Sequence, residues 1–260
     1  MTGVTSRKLD GHVILITGAG GTLGRVAAFA CAAEGATVIL LDKNGKAIEG
    51  VYDEIIAAGH PMPALYPLDL VSASEEDFAH LSTRIGQEFG RLDGLLHTAA
   101  ELGLLGPVAD LTSAEMERSW RVNCSAPLQL TRALLTLLTR TGDAAIVFTS
   151  DSSARRGRAF WGAYGISKLA VEGCAQILGD ELHGLGRIRV NIFVPGPFHS
   201  PLHFKAYPAT NRESLPLAKS FEGCLVYLLG PDSLAVKGRV IDPSALAFSR
   251  IPEGENYVRP

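Results

Sequence analysis

Cysteine is scarce in this sequence: Cys31, Cys124, Cys174 and Cys224 stand far apart in 260 residues. The close pairs that metal sites and small disulfide frameworks use are missing, so the expectation is buried free thiols in a reducing compartment and no metal. A basic excess is lacking too, with 24 Lys and Arg against 27 Asp and Glu and a formal net charge of −3. Binding along a phosphate backbone calls for the opposite balance, so no nucleic-acid partner is expected. No apolar run reaches the roughly 18 to 20 residues that span a bilayer. Met1–Asp10 is polar and mixed in charge, without a signal-peptide core. Together these absences predict a cytoplasmic protein with no membrane partner. Nor does a Pro/Gly/Ser-rich linker divide the chain, so one domain is expected over residues 1–260.

What the sequence does have is 47% hydrophobic residues, in short apolar runs that alternate with longer helical stretches. Strands are predicted at His12–Thr17, Thr37–Leu41, Ala64–Tyr66, Gly94–Thr98, Ala144–Thr149, Ile188–Val194 and Gly238–Ile241. Helices are predicted at Arg25–Glu34, Ala47–Ala58, Glu75–Phe89, Ser113–Leu138 and Ala163–Leu185. Runs such as Val-Ile-Leu-Ile suit strands covered on both faces, which points to an α/β, doubly wound, Rossmann-like fold of about seven parallel strands. Residues 195–216 break the rhythm with five prolines. They are read as either a substrate lid or a disordered loop, at the strand end where open α/β sheets bind ligands.

Between the first strand and first helix runs Thr17-Gly18-Ala19-Gly20-Gly21-Thr22-Leu23-Gly24. Missing side chains there let backbone N–H groups approach a pyrophosphate, and the following helix start favours negative charge. Asp42 closes the second strand 18 positions beyond Gly24. Its carboxylate suits two ribose hydroxyls and would repel a 2′-phosphate, so NAD is expected over NADP, although Lys43 is adjacent. Downstream, Tyr164 and Lys168 are spaced to share one helix face. A nearby ammonium favours the ionised form of a phenol.

At these residues the chain resembles the short-chain dehydrogenase/reductase family, from Leu9 to about Asp242. Thr17–Gly24 resembles its T-G-x-x-x-G-x-G turn, Asp69 before Leu70 its adenine-contacting Asp, and Asn123 its helix-embedded catalytic Asn. Tyr164 and Lys168 fit Y-x-x-x-K. Pro195, Gly196 and Ser200 fit the P-G-x-x-x-T segment after the sixth strand, and Ala99 and Ala100 end the run after the fourth. The segment around Trp161 is most similar to a bacterial branch of oxidoreductases without assigned substrates. The resemblance implies hydride transfer between an alcohol–carbonyl couple and NAD(P), in a homodimer or homotetramer. Tyr164 would be the acid/base, Lys168 would hold the nicotinamide ribose and lower the Tyr164 pKa, and Asn123 would anchor a water.

The family's catalytic Ser stands about 13 positions before the Tyr, and here that position is Asp151, within Thr149-Ser150-Asp151-Ser152-Ser153. An ionised carboxylate cannot donate to a carbonyl oxygen and opposes a developing alkoxide. Either Asp151 acts as a neutral acid or Ser152 supplies the hydroxyl. Thr22 replaces a glycine, His97-Thr98 replaces an Asn pair that tethers strands, and Val240-Ile241-Asp242-Pro243 replaces V-D-G-G. Two functions therefore stand: an oxidoreductase acting on a small-molecule alcohol or carbonyl, or a cofactor-binding module with weak turnover. His199 and His203 lie among prolines, in what reads as an irregular loop, and the arginines Arg155, Arg156 and Arg158 read as a solvated loop.

Overall fold

The computed structural model describes residues 7–152, 154–184 and 188–243. Among the described residues, seven parallel strands form one sheet: β1 (Val13–Thr17), β2 (Thr37–Asp42), β3 (Ala64–Pro67), β4 (Gly94–His97), β5 (Ala144–Thr149), β6 (Ile188–Phe193) and β7 (Val240–Ile241). Their order is β3-β2-β1-β4-β5-β6-β7. Register is set by pairs such as Leu15 opposite Ile39 and Leu95. Because side chains alternate across a strand, the two faces of β1 serve different cores. Ile14 and Ile16 pack with α1 (Thr22–Ala33), α2 (Gly45–Ala57) and α8 (Glu222–Leu229). Val13 and Leu15 pack with α3 (Glu75–Glu88), α5 (Ala126–Arg140) and α6 (Gly162–His183). The chain leaves β1 toward one edge and β4 toward the other, so a crevice opens at the carboxyl ends of these two neighbours.

Four sequence expectations change. α1 starts at Thr22 rather than Arg25, so the glycine turn runs straight into helix. The helix expected over Ser113–Leu138 is divided into α4 (Ser113–Trp120) and α5 by a π-turn, Arg121–Ser125. Pro127 explains the break: it has no N–H for the carbonyl four residues back, that of Asn123, and the Ala126 amide bonds the Arg121 carbonyl instead. Residues 195–216 contain a short helix, α7 (Pro201–Ala206), and a 3-10 turn, Arg212–Ser214. Ser200 caps α7 by accepting from the His203 amide at 3.2 Å. His203 therefore lies in a helix and His199 before it, so the two do not share a helix face. α8 carried no periodic signal, because Cys224, Leu225, Val226, Leu228 and Leu229 are all buried and an eight-residue helix buried on most sides shows no polar face. Leu185, the predicted end of α6, lies outside the described residues.

Among the described residues no helix is long and apolar enough to cross a membrane. All four cysteines are free thiols; Cys174 is half-buried and the other three are buried.

Candidate active site

The crevice is a cavity of about 410 Å³. One end is built almost entirely of backbone. Gly18 holds a left-handed φ of +66°, and a Cβ there would stand 2.7 Å from the Ala99 backbone. A Cβ on Gly24 would collide with the Gly18 carbonyl. The turn thus lies flat against the chain leaving β4, with no room for a side chain at Gly18 or Gly24. Gly21 caps α1 without a side-chain partner for the first-turn amides, which leaves the Thr22 and Leu23 N–H groups on the cavity wall beside Gly20 and Gly21, whose own amides bond Asp42 and the Gly18 carbonyl. These features fit a dinucleotide's pyrophosphate.

Asp42 sits at the adjoining strand end, its Oδ2 accepting from the Gly20 amide at 3.1 Å and its Oδ1 from the Asn44 amide at 2.9 Å. Lys43, the cation beside it, lies 4.0 Å from Glu101, which also pairs with Arg118 at 3.2 Å. Asp69, Leu70, Ala99 and Ala100 line the same stretch.

At the other end stand Tyr164, Lys168 and Asp151, with Pro195, Gly196 and Ser200 opposite. Tyr164 Oη donates to Asp151 Oδ2 at 3.2 Å. Burial, then the Asp151 charge, raises the phenol well above its usual value. Lys168 Nζ donates to the Thr149 carbonyl at 2.9 Å and lies 5.7 Å from the Tyr164 ring centre. Burial outweighs neighbouring carboxylates and brings the ammonium down to about 8. The phenol thus stands above its usual value even with Lys168 beside it, raised by desolvation and Asp151.

Asp151 reaches the Tyr164 hydroxyl, whereas Ser152 is exposed and borders a small side cleft outside the main cavity. Ser153 lies outside the described residues. Ser150 is turned away, donating to Glu172 Oε1 at 2.6 Å, while Arg155 Nε donates to Glu172 Oε2 at 3.0 Å. Sequence reading missed this clamp, since Glu172 looks like any helix surface acid. Its spacing of one turn past Lys168 was the available signal.

The Asn123 side chain is fully engaged within the protein. Its Oδ1 accepts from the Glu101 amide at 2.9 Å, and its Nδ2 faces the Glu101 carbonyl at 2.9 Å and the Ser119 and Ser167 hydroxyls at 3.1 and 3.0 Å. The side chain is buried away from the cavity lining and joins the chain after β4 to α4 and α6. The strand tether expected to be missing is present in another form: Thr98 Oγ1 donates to the Thr17 carbonyl at 2.6 Å.

Its neighbour His97 is buried, stacked on Phe148, with Nε2 2.9 Å from Thr131 Oγ1. Burial pushes the imidazole from 6.5 down to about 3. The unfolded chain binds this proton below its ordinary pKa and the folded chain does not, so stability falls as pH drops from about 6.5 toward 3. His97 is expected to contribute about 1.4 kcal/mol of lost stability per pH unit in that window. Urea unfolding of wild type and His97→Asn between about pH 6 and pH 5 measures it. Equal pH slopes in the two proteins would contradict the buried neutral imidazole.

The short chain dehydrogenase family model matches residues 12–210. The chain is 37% identical over 234 residues to YciK of Escherichia coli K12, an uncharacterized oxidoreductase, covering 90% of this chain and 92% of that one. Its fold is similar to that of a short chain dehydrogenase from Pseudomonas syringae, with a TM-score of 0.89, 42% identity and coverage of 91% and 96%. A short chain dehydrogenase from Shigella flexneri complexed with NADP matches with a TM-score of 0.89, 36% identity and coverage of 92% and 99%.

Proposed function

This chain belongs to the short-chain dehydrogenase family, and from that premise we propose that it is a reductase moving hydride from a nicotinamide dinucleotide to a small molecule. The observation that carries the reading is one cavity with a glycine cradle at one end and Tyr164, Lys168 and Asp151 at the other. The dinucleotide supplies the hydride. Gly18, Gly20, Gly21, Thr22, Leu23 and Gly24 would take its pyrophosphate, Asp69 and Leu70 its adenine, and Lys168 its nicotinamide ribose. Tyr164 gives its proton to the substrate's heteroatom, and burial keeps the phenol in the protonated form that donation requires. Asn123 acts as a positioning residue that fixes the chain at Glu101 against α6. The exposed Ile166, Leu169 and Ile177 on α6 support pairing of subunits into a dimer or tetramer.

NAD is proposed over NADP. A 2′-phosphate would meet the Asp42 carboxylate, and Lys43 already has Glu101 as counter-charge. The NADP bound by the Shigella flexneri relative argues the other way. Fluorescence titration with both reduced dinucleotides decides: NADH is expected to bind about tenfold tighter, the worth of one unfavourable charge contact of about 1.4 kcal/mol. Asp42→Ala should erase the difference. Tighter NADPH binding by the wild type would overturn the preference.

A binding module without turnover is the second reading, favoured by the Asp151–Tyr164 hydrogen bond, which directs the catalytic proton toward a carboxylate. Transfer of hydride to any substrate excludes it.

A further inference from the structure

We propose that Glu172 is a positioning residue of this site, holding Asp151 against the Tyr164 hydroxyl by bonding the chain on both sides of it. The inference rests on the reading of Tyr164 as proton donor above and deepens it by naming what fixes that proton's neighbour.

Tyr164, Lys168 and Glu172 stand one helix turn apart and so share a face of α6. Each meets one of three consecutive residues where β5 ends. Lys168 Nζ donates to the Thr149 carbonyl at 2.9 Å, Glu172 Oε1 accepts from the Ser150 hydroxyl at 2.6 Å, and Tyr164 Oη donates to Asp151 Oδ2 at 3.2 Å. The second Glu172 oxygen, Oε2, accepts from Arg155 Nε at 3.0 Å. Arg155 belongs to the 3-10 turn Ala154–Arg156 that follows Asp151 in the chain. One carboxylate therefore brackets Asp151, through Ser150 before it and Arg155 after it.

Burial makes the bracket firm. Glu172 and Ser150 are both buried, and a hydroxyl bonded to a carboxylate away from water is held strongly. Asp151 itself has several charged neighbours. Besides the Tyr164 hydroxyl it faces Lys168 from α6 and His203 from α7, and it stands on the wall between the main cavity and the side cleft. Which neighbour its carboxylate meets depends on where the chain at Ser150 and Arg155 is held. Glu172 sets that place.

NMR of protein carrying tyrosine labelled at the ring carbon that bears the hydroxyl tests this without dinucleotide or substrate. Tyr164→Phe identifies the Tyr164 signal among the six tyrosines. At neutral pH Glu172→Ala is expected to move that signal most of the way that Asp151→Ala moves it, and to move it no further in the Asp151→Ala background. Ser150→Ala removes one arm of the bracket without touching α6 and should give a smaller shift of the same sign; it decides the matter if Glu172→Ala does not fold. An unmoved signal in folded Glu172→Ala, or in Ser150→Ala where that variant alone folds, overturns the inference. So does an equal shift in the Asp151→Ala background.

Turnover gives a second readout. Loosening Asp151 takes a like charge off the phenolate, so oxidation of tetralol, the alcohol of the ketone tetralone, should set in at lower pH in Glu172→Ala, by up to about one pH unit. The shift should vanish in the Asp151→Ala background. A merely structural role would lower rates at every pH and leave the profile in place, and that result in a folded variant also overturns the inference. If wild type oxidises no tetralol, the reductase reading is what fails for this probe, and the NMR arm alone decides whether Glu172 positions Asp151.

Discussion

Asp151→Ser is expected to raise ketone reduction by about a hundredfold, because it exchanges a charge-repelling acceptor for a neutral donor at the atom where negative charge develops. One donor aimed at an oxyanion contributes on the order of 2.7 to 4 kcal/mol, which sets that scale. The same change removes the second cause of the raised Tyr164 pKa, the Asp151 charge, while burial remains. A phenol must ionise to accept a proton from an alcohol. Alcohol oxidation should therefore set in at lower pH in the variant than in wild type, and ketone reduction should vary less with pH. Steady-state rates with tetralone and tetralol across the neutral and alkaline range measure both effects. If Ser152 rather than Asp151 is the reacting partner, Asp151→Ser leaves the rate unchanged and Ser152→Ala is the crippling variant. The exposure of Ser152 makes the account predict the reverse.

Tyr164→Phe is expected to lower ketone reduction by about 10²- to 10⁴-fold, in wild type and more visibly in the Asp151→Ser background, since it removes the transferable proton and keeps the ring. Dinucleotide affinity should hardly move. The phenyl ring still packs on Trp161, which lies 5.7 Å away, and the glycine cradle is at the other end of the cavity. Comparing the loss in ketone reduction with the change in NADH affinity in one variant separates proton donation from damage to the site. Equal losses in rate and in dinucleotide affinity would mean that the Tyr164→Phe change disturbs binding rather than proton transfer.

The fold was legible in the sequence wherever burial on both sides left a short apolar run between polar turns. Ala144–Thr149 forms a strand with the expected ends, and the other strands shift by one or two residues. Legibility failed where the signal was of another kind. Pro127 marks the π-turn only if its missing N–H is weighed against the carbonyl of Asn123, and α8 is too short and too buried to show a polar face. In the site, motif spacing brought the glycines, Asp42, Asp151, Tyr164 and Lys168 to one cavity. Spacing does not show which way a side chain turns. Asn123 and Ser152 share the motif's neighbourhood but not its cavity, and Glu172, absent from the motif, holds Ser150 and Arg155 in place. The raised Tyr164 pKa was equally hidden, because its burial is a tertiary fact that spacing does not show.

Label transfer tests the central claim most directly. With NADH carrying deuterium in the transferable position of its nicotinamide ring, mass spectrometry of the reduced probe asks whether hydride moves from dinucleotide to substrate carbon on this protein. The account predicts one deuterium on the carbinol carbon of tetralol made from tetralone, both by wild type and by Asp151→Ser. Firm NADH binding with no label in either product would contradict it and leave a dinucleotide-binding module in place of a reductase.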